Sequence, residues 1–146
     1  MVCSRGGALL GECLDALGEQ GVPHQACVIL DGASATEAKA WSERYPEAWV
    51  VARPQRSGFG PCVQVGLERA RSLGAEWVLL LNDDVRMEPQ ALERMLAAGQ
   101  ADPRVAAVAP VLLDAQGTIV SVHEGAPPDD AALGRWLSPA AATPAR

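Results

Sequence analysis

The sequence feature that most constrains the fold is the run of residues 77–81, which is apolar at every position and stops at Asn82, Asp83 and Asp84. A strand with one solvated face alternates apolar and polar side chains, whereas a parallel strand covered on both faces is apolar throughout. We therefore predict a buried parallel strand at residues 77–81, with an acidic turn at its carboxyl end. Because parallel strands are joined by crossover connections, the rest of the chain should alternate strands with helices.

The remaining sequence has that alternation. Ser34 and Glu37 have the spacing of a capping box, which places the start of a helix at Ser34. Residues 53–60 are rich in Pro, Gly and Ser and are predicted to form a loop, and Pro110 interrupts the last apolar run. Repeated alternation of this kind predicts an α/β sandwich with a largely parallel sheet. Helices are predicted at residues 9–17, 36–44, 63–74 and 89–99, and strands at residues 26–30, 49–51 and 105–113.

Length and charge exclude several classes of protein. The 146 residues suffice for one domain with a core and are too few for two domains of ordinary size. The net charge of −6, with a single lysine in the chain, argues against a nucleic-acid surface, because phosphate binding needs clustered Lys and Arg. For the same reason, a phosphorylated ligand would need a cation or a helix N-terminus to offset repulsion.

The sequence carries no targeting or redox signal. No apolar stretch has the length of a signal peptide or of a membrane-spanning helix, so we expect a soluble, cytoplasmic protein with no transmembrane segment. The four cysteines are widely spaced and form no CxxC pair, which argues against a zinc site or a redox motif. We expect reduced and mostly buried thiols.

Acidic residues follow two of the predicted strands. Asp31 follows the strand at residues 26–30, and Asp83 and Asp84 lie just beyond the strand at residues 77–81. Ligands of open α/β sheets bind at the carboxyl ends of strands, so these acids are candidates for one shared site. Paired carboxylates suit a hard cation such as Mg2+ or Mn2+, which takes oxygen ligands and bridges to phosphates. The alternative is a solvated turn before a helix, in which the acids favour the positive end of the helix dipole.

Residues 79–96, which contain this acidic turn, resemble the DxD-type segment of family 2 glycosyltransferases, particularly the rhamnosyltransferase-like branch. The resemblance covers roughly residues 3–120. It implies the donor-binding half of a GT-A-like (Rossmann-like) fold, a three-layer sandwich that binds a nucleotide sugar. The supporting segments, in the order of the family, are residues 9–17 (first helix), 31–34 (acidic turn after the second strand), 57–66 (glycine-rich loop and third helix) and 102–114 (strand after the metal motif).

The resemblance also implies roles for individual residues. Asp84 would coordinate the Mg2+ or Mn2+ ion that bridges the donor diphosphate, Asp83 would approach the ribose or assist the metal, and Asp31 would hydrogen-bond the base or the ribose. The ion would neutralise charge on the leaving nucleoside diphosphate. Family members usually invert the anomeric centre, with a carboxylate as base. The implied partners are a nucleoside-diphosphate sugar and an acceptor that is a saccharide or a lipid-linked saccharide.

The second half of the family has no counterpart in this sequence. Residues 121–146 are rich in Pro and Ala, and we predict a flexible tail there, after a domain at residues 1–120. This tail resembles neither the acceptor-binding surface nor the segment with the catalytic base. Asp129 and Asp130 are interpreted as solvated charges and His123 receives no role, so the catalytic residue stays unassigned.

Three functions stay open. The first is a glycosyltransferase that is active alone or is completed by a partner. The second is a non-catalytic remnant or gene fragment, suggested by the short first strand and by Gly32, which stands where the family usually has Asp or Asn. The third is a nucleotidyltransferase, which has a similar sheet and metal-bound carboxylates. Against it, the sequence lacks a glycine-rich signature with Arg and Lys near the N-terminus.

Overall fold

Ten helices and strands follow one another along the part of the chain that the computed structural model describes, residues 2–4 and 6–121. These residues belong to two compact units, which divide between Glu93 and Arg94. No helix in this range is long and apolar enough to cross a membrane. The elements are β1 (Val2–Ser4), α1 (Ala8–Gly18), β2 (Cys27–Asp31), α2 (Ala35–Arg44), β3 (Trp49–Arg53), α3 (Phe59–Ser72), β4 (Leu81–Asn82), α4 (Ala91–Gln100), β5 (Leu112–Leu113) and β6 (Ile119–Ser121).

Four parallel strands form the sheet of the first unit, in the order β3-β2-β1-β4. β2 and β3 pair along their whole length, residue for residue. β1 pairs in parallel with the strands on both of its sides, so that Cys3 is level with Ile29 in β2 and with Asn82 in β4. The prediction of an α/β fold with a mainly parallel sheet is confirmed.

Helices cover both faces of this sheet. Crossovers between parallel strands are right-handed, so the direction in which the chain moves along the sheet decides which face receives the helix. α1 and α2 accompany the steps from β1 to β2 and from β2 to β3, whereas α3 returns in the opposite direction and lies on the other face. β2 is therefore covered on both sides. The most fully buried side chains are Leu10, Cys13, Val28, Ile29, Leu30 and Cys62.

The two helices on one face contact each other through Tyr45, the residue that follows α2. The Tyr45 hydroxyl lies 2.9 Å from Asp15 Oδ1 and 3.2 Å from the carbonyl oxygen of Gly11. Gly11 allows this close approach, because a Cβ atom there would lie 3.1 Å from the guanidinium of Arg44. A buried tyrosine retains its ring packing only if its hydroxyl finds such a partner. α1 and α2 are thus joined by a polar contact as well as by apolar packing.

Two local predictions are confirmed by the structure. Ser34 caps α2, because its Oγ accepts a hydrogen bond from Glu37 N at 3.2 Å while Glu37 Oε2 accepts one from Ser34 N at 2.7 Å. This is the capping box that the sequence predicts. The thiols of Cys13, Cys27 and Cys62 are free and buried, as expected.

The strand predicted at residues 77–81 is mostly wrong. Only its last residue belongs to β4, and Val78 and Leu80 are exposed instead of buried. The register gives the reason, because Leu81 pairs with Val2, the first residue of β1. The described pairing of β4 with β1 thus begins at Leu81, and residues 77–80 form no strand.

The strand predicted at residues 105–113 is also shorter in the structure. Only Leu112–Leu113 is a strand, and it pairs antiparallel with β6 in a two-stranded sheet of the second unit. Pro110 has no N–H to donate to a neighbouring strand, which fits a strand that begins after it. Val111 and Leu113 are exposed. In both apolar runs, only the residues that pair with another strand form a strand.

Two helices begin at residues other than those predicted. α3 begins at Phe59, inside the loop predicted at residues 53–60. Pro61 lies in the first turn of α3. Backbone N–H groups there have no intrahelical acceptor, so proline, which lacks an N–H, costs the helix no hydrogen bond. α4 begins at Ala91, so Pro89 precedes the helix and is not part of its first turn.

We predict that Ser34→Ala lowers the free energy of unfolding by about 1 kcal/mol, because the Glu37 amide loses its acceptor. Urea denaturation followed by circular dichroism measures the change. Thr36→Ala, at an exposed position in the same turn, is the matched control and should change stability by less than about 0.5 kcal/mol. Equal losses in the two variants would contradict the cap.

Candidate functional site at the carboxyl edge of the sheet

The two acidic turns predicted from the sequence lie on the same edge of the sheet. All four strands are parallel, so Asp31 at the end of β2 and Asp83 after β4 both stand at carboxyl ends. β1 lies between those strands, and two strand spacings of about 4.8 Å put the turns roughly 10 Å apart. That separation suits one extended ligand better than a single small ion held by all the acids.

The turn after β4 occupies a special place in this topology. The chain builds the sheet from β1 to β3 in one direction, then crosses back through α3 and adds β4 on the other side of β1. The strand order therefore reverses between β1 and β4. Ligands of open α/β sheets bind in the crevice outside the carboxyl ends of strands at such a reversal. Asp83 and Asp84 directly follow β4 at this point.

The side chains of the β4 turn differ in exposure. Asp83 is partly buried, whereas Asn82 and Asp84 are exposed. Behind the turn, the thiol of Cys13 in α1 donates a hydrogen bond to the carbonyl oxygen of Asn82 at 3.6 Å. Burial, with a further contribution from the charge of Asp83, raises the pKa of Cys13 to about 11. The thiol is therefore protonated at neutral pH and serves as a donor.

Asp31 holds the loop between β3 and α3. Its Oδ1 accepts hydrogen bonds from Ser57 N at 2.9 Å and Ser57 Oγ at 3.0 Å, and its Oδ2 accepts one from Gly58 N at 2.9 Å. Arg53 Nε donates to Ser57 Oγ at 2.9 Å, so that hydroxyl both donates and accepts. The hydrogen bond from the Ser57 amide is the main cause that lowers the pKa of Asp31. A hydrogen bond from the Cys62 side chain also contributes to the lowered pKa of this carboxyl group.

Ser57 and Gly58 are hydrogen-bond partners of Asp31, a pairing that the sequence did not predict. They lie 26 and 27 residues further along the chain, so no local spacing connects them to Asp31. The available signal was a Ser-Gly pair in a loop that had to return to the carboxyl edge of the sheet. Such loops offer backbone N–H groups to an acid at a neighbouring strand end.

The backbone conformation and the packing of Arg56 both explain why residue 32 is a glycine. Its φ of +87° lies in the left-handed region that favours glycine, and its amide donates to the carbonyl oxygen of Arg53 at 2.7 Å. A Cβ atom at Gly32 would also lie 2.7 Å from Cγ of Arg56. The side chain of Arg56 thus packs where a side chain of residue 32 would project.

The acids fit a hard cation that completes its coordination from a ligand. Among the side chains described, no three His, Cys, Asp or Glu residues come close enough to hold a metal ion between them. Mg2+ and similar ions are commonly held by one or two carboxylates, with phosphate oxygens and water as the other ligands. Asp83 and Asp84 offer such a donor set. His123, Asp129 and Asp130 lie outside the described residues.

The lowered pKa of Asp31 predicts how stability depends on pH. A carboxyl group with a depressed pKa stabilises the fold above its unfolded pKa of about 3.9, and this contribution is lost as the pH falls through the folded pKa. Asp31→Asn should therefore be less stable than the parent near pH 7 and should approach it as the pH falls below about 3.9. Urea denaturation at several pH values measures the difference, with Glu12→Gln on the exposed face of α1 as control. A difference independent of pH would contradict this assignment.

Comparison with known proteins adds one finding to this geometry. The family model described as glycosyl transferase family 2 matches residues 1–128, which include the sheet, the loop held by Asp31 and the turn after β4. Neither the search of the curated proteins nor that of the solved structures found a match. The family match spans most of the 146 residues. The chain therefore belongs to glycosyl transferase family 2.

Proposed function

We propose that this chain binds a nucleoside-diphosphate sugar through a divalent cation at Asp84, as the donor-binding part of an inverting glycosyltransferase. Family membership supports a glycosyltransferase-type domain, which acts on a nucleotide-sugar donor and an acceptor. The observation that carries the proposal is the position of Asp83 and Asp84, which follow β4 directly where the strand order reverses. The exposed carboxylate of Asp84 is available to a ligand at this edge.

The charge of the chain favours a cation at this position. With a net charge of −6 and two adjacent acids, the β4 turn would repel a diphosphate that arrived alone. When bound, Mg2+ or Mn2+ neutralises the negative charge that develops on the leaving diphosphate. Asp84 holds the ion in this proposal. Asp83, which is partly buried beside it, orients the ribose or supplies a second oxygen ligand.

The nucleoside is proposed to extend along the edge from the β4 turn toward Asp31. The separation of roughly 10 Å between the two turns suits a diphosphate at one end and a ribose or base at the other. In this proposal the Asp31 carboxylate accepts a hydrogen bond from the base or ribose, in addition to those from the loop. Its other bonds keep the loop at residues 53–58 in place beside the ligand.

Several finer assignments stay predictions. The acceptor is proposed to be a saccharide or a lipid-linked saccharide, and the rhamnosyltransferase-like branch is the proposed placement within the family. Within residues 2–4 and 6–121 we assign no side chain as the base that activates the acceptor. The family match favours glycosyl transfer over nucleotidyl transfer.

A non-catalytic donor-binding domain is the second candidate function. One observation favours it: Arg56 packs against Gly32, at the position where the family usually contacts the base with Asp or Asn. Such a domain would bind nucleotide weakly and release no product. An assay of nucleoside diphosphate release from a bound nucleotide sugar, with saccharide acceptors present, separates the two candidates. Release supports the transferase, and binding without release supports the non-catalytic domain.

We predict that UDP, GDP or dTDP sugars bind the chain only when Mn2+ or Mg2+ is present, and that Asp84→Ala weakens this binding at least about tenfold. Isothermal titration calorimetry of each nucleotide sugar, with and without Mn2+, measures both effects. Glu76→Gln is the matched control, because it removes one exposed acidic charge outside the turn.

Two results would contradict the donor site. One is the absence of binding by every nucleotide sugar in the presence of either cation. The other is an Asp84→Ala variant that binds as tightly as Glu76→Gln and the parent. Weakened binding in both variants by the same factor would assign the effect to net charge and not to Asp84.

A further inference from the structure

Gln20 is a buried polar side chain that lies two residues beyond the end of α1. Only 6% of its surface is exposed. Its Nε2 donates hydrogen bonds to the carbonyl oxygens of Ala16 at 3.1 Å and Glu88 at 3.2 Å, and its Oε1 accepts one from Leu92 N at 3.0 Å. These partners also fix the orientation of the amide, because carbonyls need a donor and an N–H needs an acceptor. Gln20 thus joins α1 to a distant segment.

That segment is the one that follows Asp83 and Asp84. Glu88 and Leu92 are 68 and 72 residues from Gln20 in sequence, and both belong to the first unit. Leu92 lies in the first turn of α4, where backbone N–H groups have no intrahelical partner. Gln20 therefore caps this helix from outside, as a local N-cap residue does elsewhere.

Between the two bonded positions, the backbone adopts an unfavourable conformation. Gln90 has a φ of +65°, the one positive value at a residue other than glycine in the described part of the chain. A left-handed conformation is unfavourable for such a residue. The bonds from Gln20 to Glu88 and Leu92 lie on either side of Gln90 in the sequence.

A second contact from α1 holds the other end of the same segment. Cys13 lies within α1, seven residues before Gln20. The Cys13 thiol bonds to the carbonyl oxygen of Asn82, immediately before the acids. Cys13 in α1 and Gln20 just after it therefore contact the two ends of the segment at residues 82–92. Asp83 and Asp84 lie between the two points of attachment.

We propose that Gln20 is a positioning residue for the acidic turn, which it holds through Glu88 and Leu92 so that Asp84 faces the cation. The inference rests on the proposed function, because it assigns a supporting residue to that site. Gln20 does not touch the ligand. Gln20 limits the movement of the residues after the turn, at Glu88 and Leu92. Cys13 limits the movement of Asn82, before the two acids.

The test compares Gln20→Leu with Gln25→Leu, because both remove an amide that donates to two carbonyls. The Gln25 amide bonds to Ala26 and Glu47, away from the acidic turn. Mn2+ binding is measured by electron paramagnetic resonance with UDP, GDP or dTDP present, under conditions in which each variant is fully folded. We expect Gln20→Leu to bind Mn2+ about tenfold more weakly per folded molecule, and Gln25→Leu to bind as the parent does.

Backbone hydrogen exchange tests the same claim without a ligand. Amides at residues 83–92 should exchange faster in Gln20→Leu than in the parent, and should be unchanged in Gln25→Leu. If Gln20→Leu does not fold, Gln20→Met removes the same three hydrogen bonds with a more adaptable side chain.

The outcomes separate this inference from the proposed function. Parent-like Mn2+ binding and parent-like exchange in the folded Gln20 variant would overturn the positioning role. If the parent itself binds no Mn2+ with any nucleotide, the proposed function fails, and the exchange measurement still decides whether Gln20 holds the turn. A loss of stability alone, with unchanged affinity and exchange at residues 83–92, also counts against the proposal.

Discussion

The parallel pairing of β1 with both β2 and β4 is the interaction on which the rest of the structure depends. Because β1 lies between these strands, the ends of β2 and β4 are brought to one edge of the sheet and the strand order reverses beside β1. Without that pairing, β2 and β4 would not be joined in one sheet, and Asp31 and Asp84 would not share an edge. β1 is only three residues long, so a few backbone hydrogen bonds determine where the second acidic turn lies.

Side chains from neighbouring elements then hold the loops at this edge. Asp31 accepts three hydrogen bonds from the loop before α3, and Gln20 makes three with α1 and the segment after β4. Each such bond stabilises a fold by about 1 kcal/mol, and bonds to a charged acceptor by somewhat more. These bonds also fix the positions of the loops, because a polar group that lost its partner would have to move toward water. These contacts therefore hold both loops at this edge of the sheet.

The sequence predicts those parts of the fold that depend on near neighbours. The capping box of Ser34 and Glu37 is an example, because both partners lie within one helical turn. Residues 77–80 show the limit of such reasoning. Their apolar side chains predict burial, but burial in a sheet depends on the register with β1, which no local pattern specifies. The hydrogen bonds of Gln20 to Glu88 and Leu92 cannot be predicted from local patterns either, because these partners are 68 and 72 residues away.

The position of the bound cation is the most direct test of the proposed donor site. Mn2+ is paramagnetic and broadens the amide resonances of residues near it, so nuclear magnetic resonance of the chain with Mn2+ and a nucleoside diphosphate locates the ion. We expect the strongest broadening at Asp83 and Asp84 and weaker broadening at Ser57 and Gly58, which lie beside Asp31 on the same edge. Broadening centred on the exposed acids of α1, or spread evenly over the surface, would contradict the proposed donor site.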